Sequence, residues 1–119
     1  MITGVDLYGD LVLNAAVSDT IDLTVTVAAV GTAISAGTLT ELTFVTDMNN
    51  LLSVESGAGF NTSAVGGITA AVVTASAGDL SGRKFLAVDL NADDTFTATD
   101  FVIEITGSTV TSLTTATFV

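Results

Sequence analysis

Apolar and polar residues alternate most clearly from Ser18 to Val27. There Ile21, Leu23, Val25 and Val27 fall on one face of an extended chain and Asp22, Thr24 and Thr26 on the other. A two-residue period of this kind marks a strand with one buried face. Upstream, Asp10 to Val17 sets Leu11, Leu13 and Ala15 against Val12 and Asn14 and predicts a partner strand. Gly31 and Gly37 bracket a turn region, after which Leu39 to Val45 reads as a further strand with Leu42 and Phe44 sharing a face. The alternation fails at Thr46. From there Met48, Leu51, Leu52 and Glu55 follow helical spacing, Thr46 can cap the N-terminus, Asp47 complements the helix dipole, and Gly57 can end the last turn. One short helix is therefore predicted over about Thr46–Ser56. Gly57 to Gly67 reads as a loop, followed by strand Ile68 to Thr74, a turn around Ala77-Gly78-Asp79, and strand Lys84 to Val88. A polar, acidic stretch from Asp89 to Asp100 precedes strand Phe101 to Thr106, and Thr109 to Val119 alternates once more.

Composition supports that reading. Thr, Val, Ala and Leu dominate and Pro is absent, which favours strands over long helices. The expected fold is a mostly β domain, sandwich-like or open, with one short helix and a strand-loop-strand site around the acidic stretch Asp89 to Asp100. No shift in composition and no repeat of fixed period divides the 119 residues, so residues 1–119 are expected to form a single domain. Hydrophobic residues make up 49% and mean hydropathy is +0.72, which excludes simple disorder. No apolar run approaches the roughly 20 residues of a membrane-spanning helix, so membrane insertion is not expected.

Charge narrows the partners further. Asp and Glu number 13 against 2 cationic residues, giving a net charge of -11. The cations, Arg83 and Lys84, are adjacent and cannot neutralise a row of phosphates, so nucleic acid and anionic lipid are poor partners. Metal cations are better ones. Cys and His are both absent, which removes disulfides, thiolate nucleophiles and the usual zinc ligands. An enzyme would need paired carboxylates in a cleft, and the dense carboxylate group lies in one loop instead, so no enzymatic activity is expected. Met1 to Asp6 has no basic stretch and does not read as a cleavable secretory signal.

The most specific constellation is that loop. Asp89-Leu90-Asn91-Ala92-Asp93-Asp94-Thr95-Phe96-Thr97-Ala98-Thr99-Asp100 follows the D-x-[DN]-x-[DN] calcium-loop pattern through its twelfth position. A calcium ion takes six to eight oxygens, and alternate residues of a curled loop point inward. Asp89, Asn91 and Asp93 would then supply side-chain oxygens, Thr95 its carbonyl, and Thr97 an oxygen directly or through water, with Asp100 closing the loop. Phe96 would pin the loop to the core. Four carboxylates in one loop repel one another unless a cation sits among them. The sixth position is Asp94 where Gly is usual, a residue that tolerates a left-handed backbone at modest cost. The twelfth is Asp where Glu is usual, which places the expected affinity in the roughly 10⁻⁴ to 10⁻³ M range. The alternative is a solvated acidic turn between two strands.

With these residues in view, Lys84 to Gly107 resembles the C-terminal region of bacterial RTX-type and surface-layer-like proteins exported by type I secretion. In those proteins an aromatic strand, an Asp-rich loop and a strand like Val102-Ile103-Glu104-Ile105-Thr106-Gly107 come in this order. The loop is also similar to that of dockerins. The resemblance extends over Thr38 to Val119 and leaves residues 1–37 as N-terminal strands. It implies calcium binding, export by the type I machinery, and an extracellular or cell-surface location. The tail, Thr114 to Val119, is similar to uncleaved secretion signals of that system. The chain lacks the glycine-rich nonapeptide repeats of RTX proteins, so their parallel β-roll is not expected.

Weaker features read as structure. Gly57-Ala58-Gly59 begins like a dinucleotide fingerprint but lacks its third Gly, and reads as a flexible loop. Asn61-Thr62-Ser63 has the form of a glycosylation sequon. Asp6 with Asp10, and Asp19 with Asp22, read as solvated strand ends, Glu104 as a solvent-side strand residue, and Arg83-Lys84 as part of a surface ion pair. Two functions fit the whole: a secreted structural protein that partners itself in a fibre, surface layer or matrix, or a monomeric calcium-dependent cell-surface adhesion module. Few Lys and no Pro guard the strand edges, which favours self-assembly.

Overall fold

The computed structural model describes residues 5–6, 21, 23, 25–53, 58–61, 67–108, 113–115 and 118. Its centre is an antiparallel pair, β3 (Ile68–Thr74) and β4 (Lys84–Asp89), in which Ala70 lies opposite Val88 and Val72 opposite Leu86. Both strands read as nearly continuous apolar runs because both of their faces are covered. Around them an open mixed sheet forms in the order β1-β5-β4-β3-β2, with β1 at Val5–Asp6, β2 at Val27–Val30 and β5 at Phe101–Glu104. The two outer pairings, β1 with β5 and β2 with β3, are parallel. The protein is thus mostly β with one short helix, α1 (Phe44–Leu52).

The period of two divides the strands between two cores. Ala71, Val73, Phe85, Ala87 and Val102 face α1, where Phe44, Met48 and Leu52 are fully buried together with Leu39 and Phe60. Phe44 meets Phe85 edge-on at a centroid distance of 5.2 Å, a favoured aromatic geometry. Ala70, Val72, Leu86 and Val88 face the other way and are covered by Ile21, Val27, Ile105 and Leu113. At the turn between β3 and β4, Gly78 holds φ +87°, and a Cβ there would lie 2.2 Å from the Leu39 carbonyl oxygen, so the close passage of residue 39 needs glycine.

The helix begins earlier than its pattern predicts. Leu39 to Val45 is not a strand: Phe44 and Val45 are helical, Thr43 is the N-cap, and Leu42 is 93% exposed while Phe44 is buried. Phe44, Met48 and Leu52 form an i, i+4, i+8 stripe whose burial outweighs a two-residue alternation. Thr46 does not cap, and Thr43 makes no side-chain cap bond either. Asp47 instead accepts hydrogen bonds from the Thr40 amide and from the Thr40 and Thr43 hydroxyls, tying the preceding loop to the helix. The Thr43 hydroxyl bond, chiefly, holds the Asp47 carboxyl below the usual carboxylate range. The helix ends at Leu52, and Gly57 lies outside the described residues.

The strand predicted over Ser18 to Val27 is also displaced. Leu23, Val25 and Thr26 are not in a strand, and pairing begins at Val27, whose partner Ile68 is the first residue of β3. Upstream of Val27 there is no more of β3 to pair with. Ile21 and Leu23 serve the outer core, and Ile21 makes an isolated bridge to Phe118. Leu113 to Thr115 is likewise not a strand. The strand predicted over Asp10 to Val17 lies outside the described residues. The predicted strands Ile68 to Thr74 and Lys84 to Val88 are present, and Phe101 to Thr106 stops at Glu104.

Glu104 is not on the solvent side. Its register partner is Phe85, so it shares the helix-facing side, and its side chain is 3% exposed. Arg83 Nε donates to Glu104 Oε2 at 2.7 Å, Arg83 Nη2 reaches Oε1, and the Thr106 hydroxyl donates to Oε2 at 2.7 Å. The Arg83 hydrogen bonds, above all, hold the Glu104 carboxyl below the usual glutamate range. A lowered folded value means that this pairing stabilises the fold above the unfolded glutamate pKa of about 4.3 and is lost as pH falls below it. Arg83→Met is expected to cost about 2 kcal/mol at pH 7, below the usual range for breaking a buried pair because the Arg83 side chain is 38% exposed. Urea unfolding at several pH values should show the deficit shrinking as pH falls from 7 into the glutamate range, because the stranded buried carboxylate, without its cation, protonates more readily. A deficit that is constant with pH would contradict this role.

Candidate metal centre

The loop predicted to bind calcium joins β4 to β5, two adjacent strands at the middle of the sheet. Its first residue, Asp89, ends β4 on the same side as Phe85 and Ala87, toward α1, and is fully buried. Its last, Asp100, is 2% exposed. Two buried carboxylates therefore close the two ends of a loop that is exposed at Asn91, Asp93, Asp94 and Thr99 and buried at Phe96. Burial pushes the Asp89 carboxyl up, against the lowering effect of the Asp94 and Asp93 amides, while the nearby charges of Asp100 and Asp93 push it up further.

The backbone of the loop turns sharply at two non-glycine residues. Asp94, at the sixth position, holds φ +61°, and Ala92 holds φ +58°, so both are left-handed where glycine is the usual solution. The Asp94 amide donates to Asp89 Oδ2 at 2.8 Å and the Asp93 amide to Asp89 Oδ1 at 3.4 Å. At the other end, Asp100 accepts from the Leu90 amide at 2.9 Å and from the Thr97 amide at 2.8 Å and hydroxyl at 3.1 Å. Asp93 accepts from the Thr95 amide and hydroxyl and from the Asn91 side-chain amide. The Thr95 hydroxyl, first of all, lowers the Asp93 pKa.

The six predicted ligand positions are thus brought into one loop, and neighbouring pairs touch: Asn91 with Asp93, Asp93 with Thr95, and Thr97 with Asp100. Their carboxylates do not converge on one point. Among the described residues no three acidic side chains form a group spaced to hold a metal ion. The oxygens are directed at the loop's own donors instead. Asn91 and Asp93 are exposed, so turning them inward would exchange the solvent-accessible hydrogen bonds of Asp93 with Asn91 and Thr95 for other interactions. An all-oxygen donor set with buried carboxylates at both ends fits a hard cation such as calcium.

Sequence pattern did not identify the residues that brace this loop. Asn49 of α1 accepts the Phe96 amide at 2.9 Å, and the Ser53 hydroxyl lies 3.0 Å from Asn49 Oδ1 and 3.1 Å from the Asp94 carbonyl oxygen, its single proton shared between these two acceptors. Phe96, 2% exposed, packs beside Phe44 and Phe60 at centroid distances of 6.4 Å. The loop is therefore fixed to the helix by two polar side chains and one ring. Asn49, on the helix, and Ser53, its C-cap, stand four apart, a spacing that the helix predicted over Thr46–Ser56 already placed on one face. Asp6, Asp10, Asp19 and Asp22 give no second site that can be described, since their side chains lie outside the described residues.

No protein-family model, curated protein or solved structure matches the chain.

Proposed function

We propose that the chain is a secreted structural protein that binds calcium through residues 89–100 and self-assembles outside the cell into a fibre, surface layer or matrix. The observation that carries this reading is the position of the loop: it joins two central strands and buries a carboxylate at each end. A cation there neutralises two charges, fixes the β4–β5 connection, and through Asn49 and Ser53 fixes α1 as well. At a net charge of -11, subunits repel one another over a Debye length until cations screen or bridge them. Among the described residues β1 and β2 are the outermost strands of the sheet, and they carry neither Lys nor Pro, residues that commonly block strand addition. Export by a type I system to the cell surface accords with the resemblance of the C-terminal region.

Light scattering during a calcium titration tests the assembly step. Growth into large, regular particles that revert with chelator is the expected result. A constant monomer mass at high protein concentration would reject self-assembly and favour a calcium-dependent adhesion module.

A further inference from the structure

We propose that Thr69 belongs to the cation site, its hydroxyl oxygen serving from β3 as an additional ligand to the calcium ion held by Asp89. This rests on the calcium reading of residues 89–100 and extends it to a strand outside the loop.

Thr69 is fully buried, and its Oγ1 is the buried side-chain polar atom left without a hydrogen-bond partner among the described residues. Buried hydroxyls are nearly always satisfied, so an unpaired one calls for a use. Packing alone does not require it. Val72 and Val73 fill comparable buried positions of the same strand, and valine has the shape of threonine without the oxygen.

Its position indicates the use. Thr69 is the register partner of Asp89 in the antiparallel β3–β4 pair. It shares the α1 side of the sheet with Ala71 and Val73, as Asp89 shares it with Phe85 and Ala87. Side chains directly opposite in such a pair have Cβ atoms about 4.5–5.5 Å apart, a span that one cation with its oxygen ligands can bridge. The hydroxyl is neutral, so it adds an oxygen without adding to the repulsion among the loop's carboxylates. Calcium accepts six to eight oxygens, and the loop offers six positions; Thr69 would be a seventh. An ion so held ties β3, β4 and β5 together, the three inner strands of the sheet, and not only the β4–β5 connection.

Calcium titration calorimetry on the wild type, Thr69→Val and Thr69→Ser, with thermal unfolding of each in chelator, tests the assignment. Thr69→Val is expected to melt in chelator no lower than the wild type, since it removes an unpaired hydroxyl, yet to bind calcium about 10-fold or more weakly. Thr69→Ser, which keeps the oxygen, should bind close to wild-type affinity. Thr69→Ala removes the same oxygen and should show the same loss of affinity, which covers a failure of the valine variant to fold. Wild-type affinity in Thr69→Val or Thr69→Ala would overturn the role of Thr69 and leave the loop site standing. A wild type that binds no calcium would overturn both.

Discussion

Phe44→Ala is expected to destabilise the fold by about 4 kcal/mol, a large share of the 5–15 kcal/mol typical of a domain this size. Phe44 is fully buried, begins α1, and touches two other rings, Phe85 at 5.2 Å and Phe96 at 6.4 Å. Its removal leaves a cavity where helix, sheet and acidic loop meet, so transfer, cavity and aromatic contributions are all lost together. Leu42→Ala, two residues away, should change stability by no more than about 0.5 kcal/mol, because Leu42 is 93% exposed. Urea unfolding of both variants checks the pair. Were residues 39–45 a strand, Leu42 and Phe44 would share a face and the two substitutions would have comparable effects.

The proposed calcium binding carries the second large expected effect. A ligand that binds only the native state stabilises it by RT ln(1 + [L]/Kd), so 10 mM calcium at a Kd of roughly 10⁻⁴ to 10⁻³ M gives about 1.4–2.7 kcal/mol. For a chain of this length that is a rise in Tm of roughly 5–10 °C over the same protein in chelator. Asp89→Ala combined with Asp93→Ala should remove the difference, because it deletes a buried and an exposed carboxylate of one site. Differential scanning at protein concentrations too low for assembly checks this. Equal melting temperatures with calcium and with chelator in the wild type would sink the prediction.

The inner strands were legible because their patterns needed no partner to be read. Residues 68–74 and 84–88 are nearly continuous apolar runs, interrupted at Thr69 and bounded by Thr74, Lys84 and turn residues, and Gly78 marks the turn between them. The outer elements were not, because their limits are set by what they pair with. Ser18 to Val27 alternates well, yet pairing waits for Val27, where Ile68 opens β3. The helix start was hidden for a related reason: Leu42 and Phe44 fit a strand locally, and the burial of Phe44 beneath Met48 and Leu52 decides for the helix. Glu104 misled through its neighbours, since Ile103 and Ile105 suggested that the intervening residue faced water, whereas both faces of the sheet are covered and Arg83 meets its charge.

The candidate site shows the same division. Spacing alone indicated residues 89, 91, 93, 95, 97 and 100, and the left-handed backbone at Asp94 agrees with the curl that spacing implies. Nothing local pointed to Asn49, Ser53 or Thr69, which meet the loop or its first residue only through the packing of α1 and the register of β3.

Native mass spectrometry of the chain after exchange into dilute calcium tests the central claim most directly, because it counts ions per molecule without reference to stability or assembly. Addition of one calcium per chain, lost in Asp89→Ala combined with Asp93→Ala, is the predicted result. A chain that carries no calcium above the level seen in the double variant would contradict it.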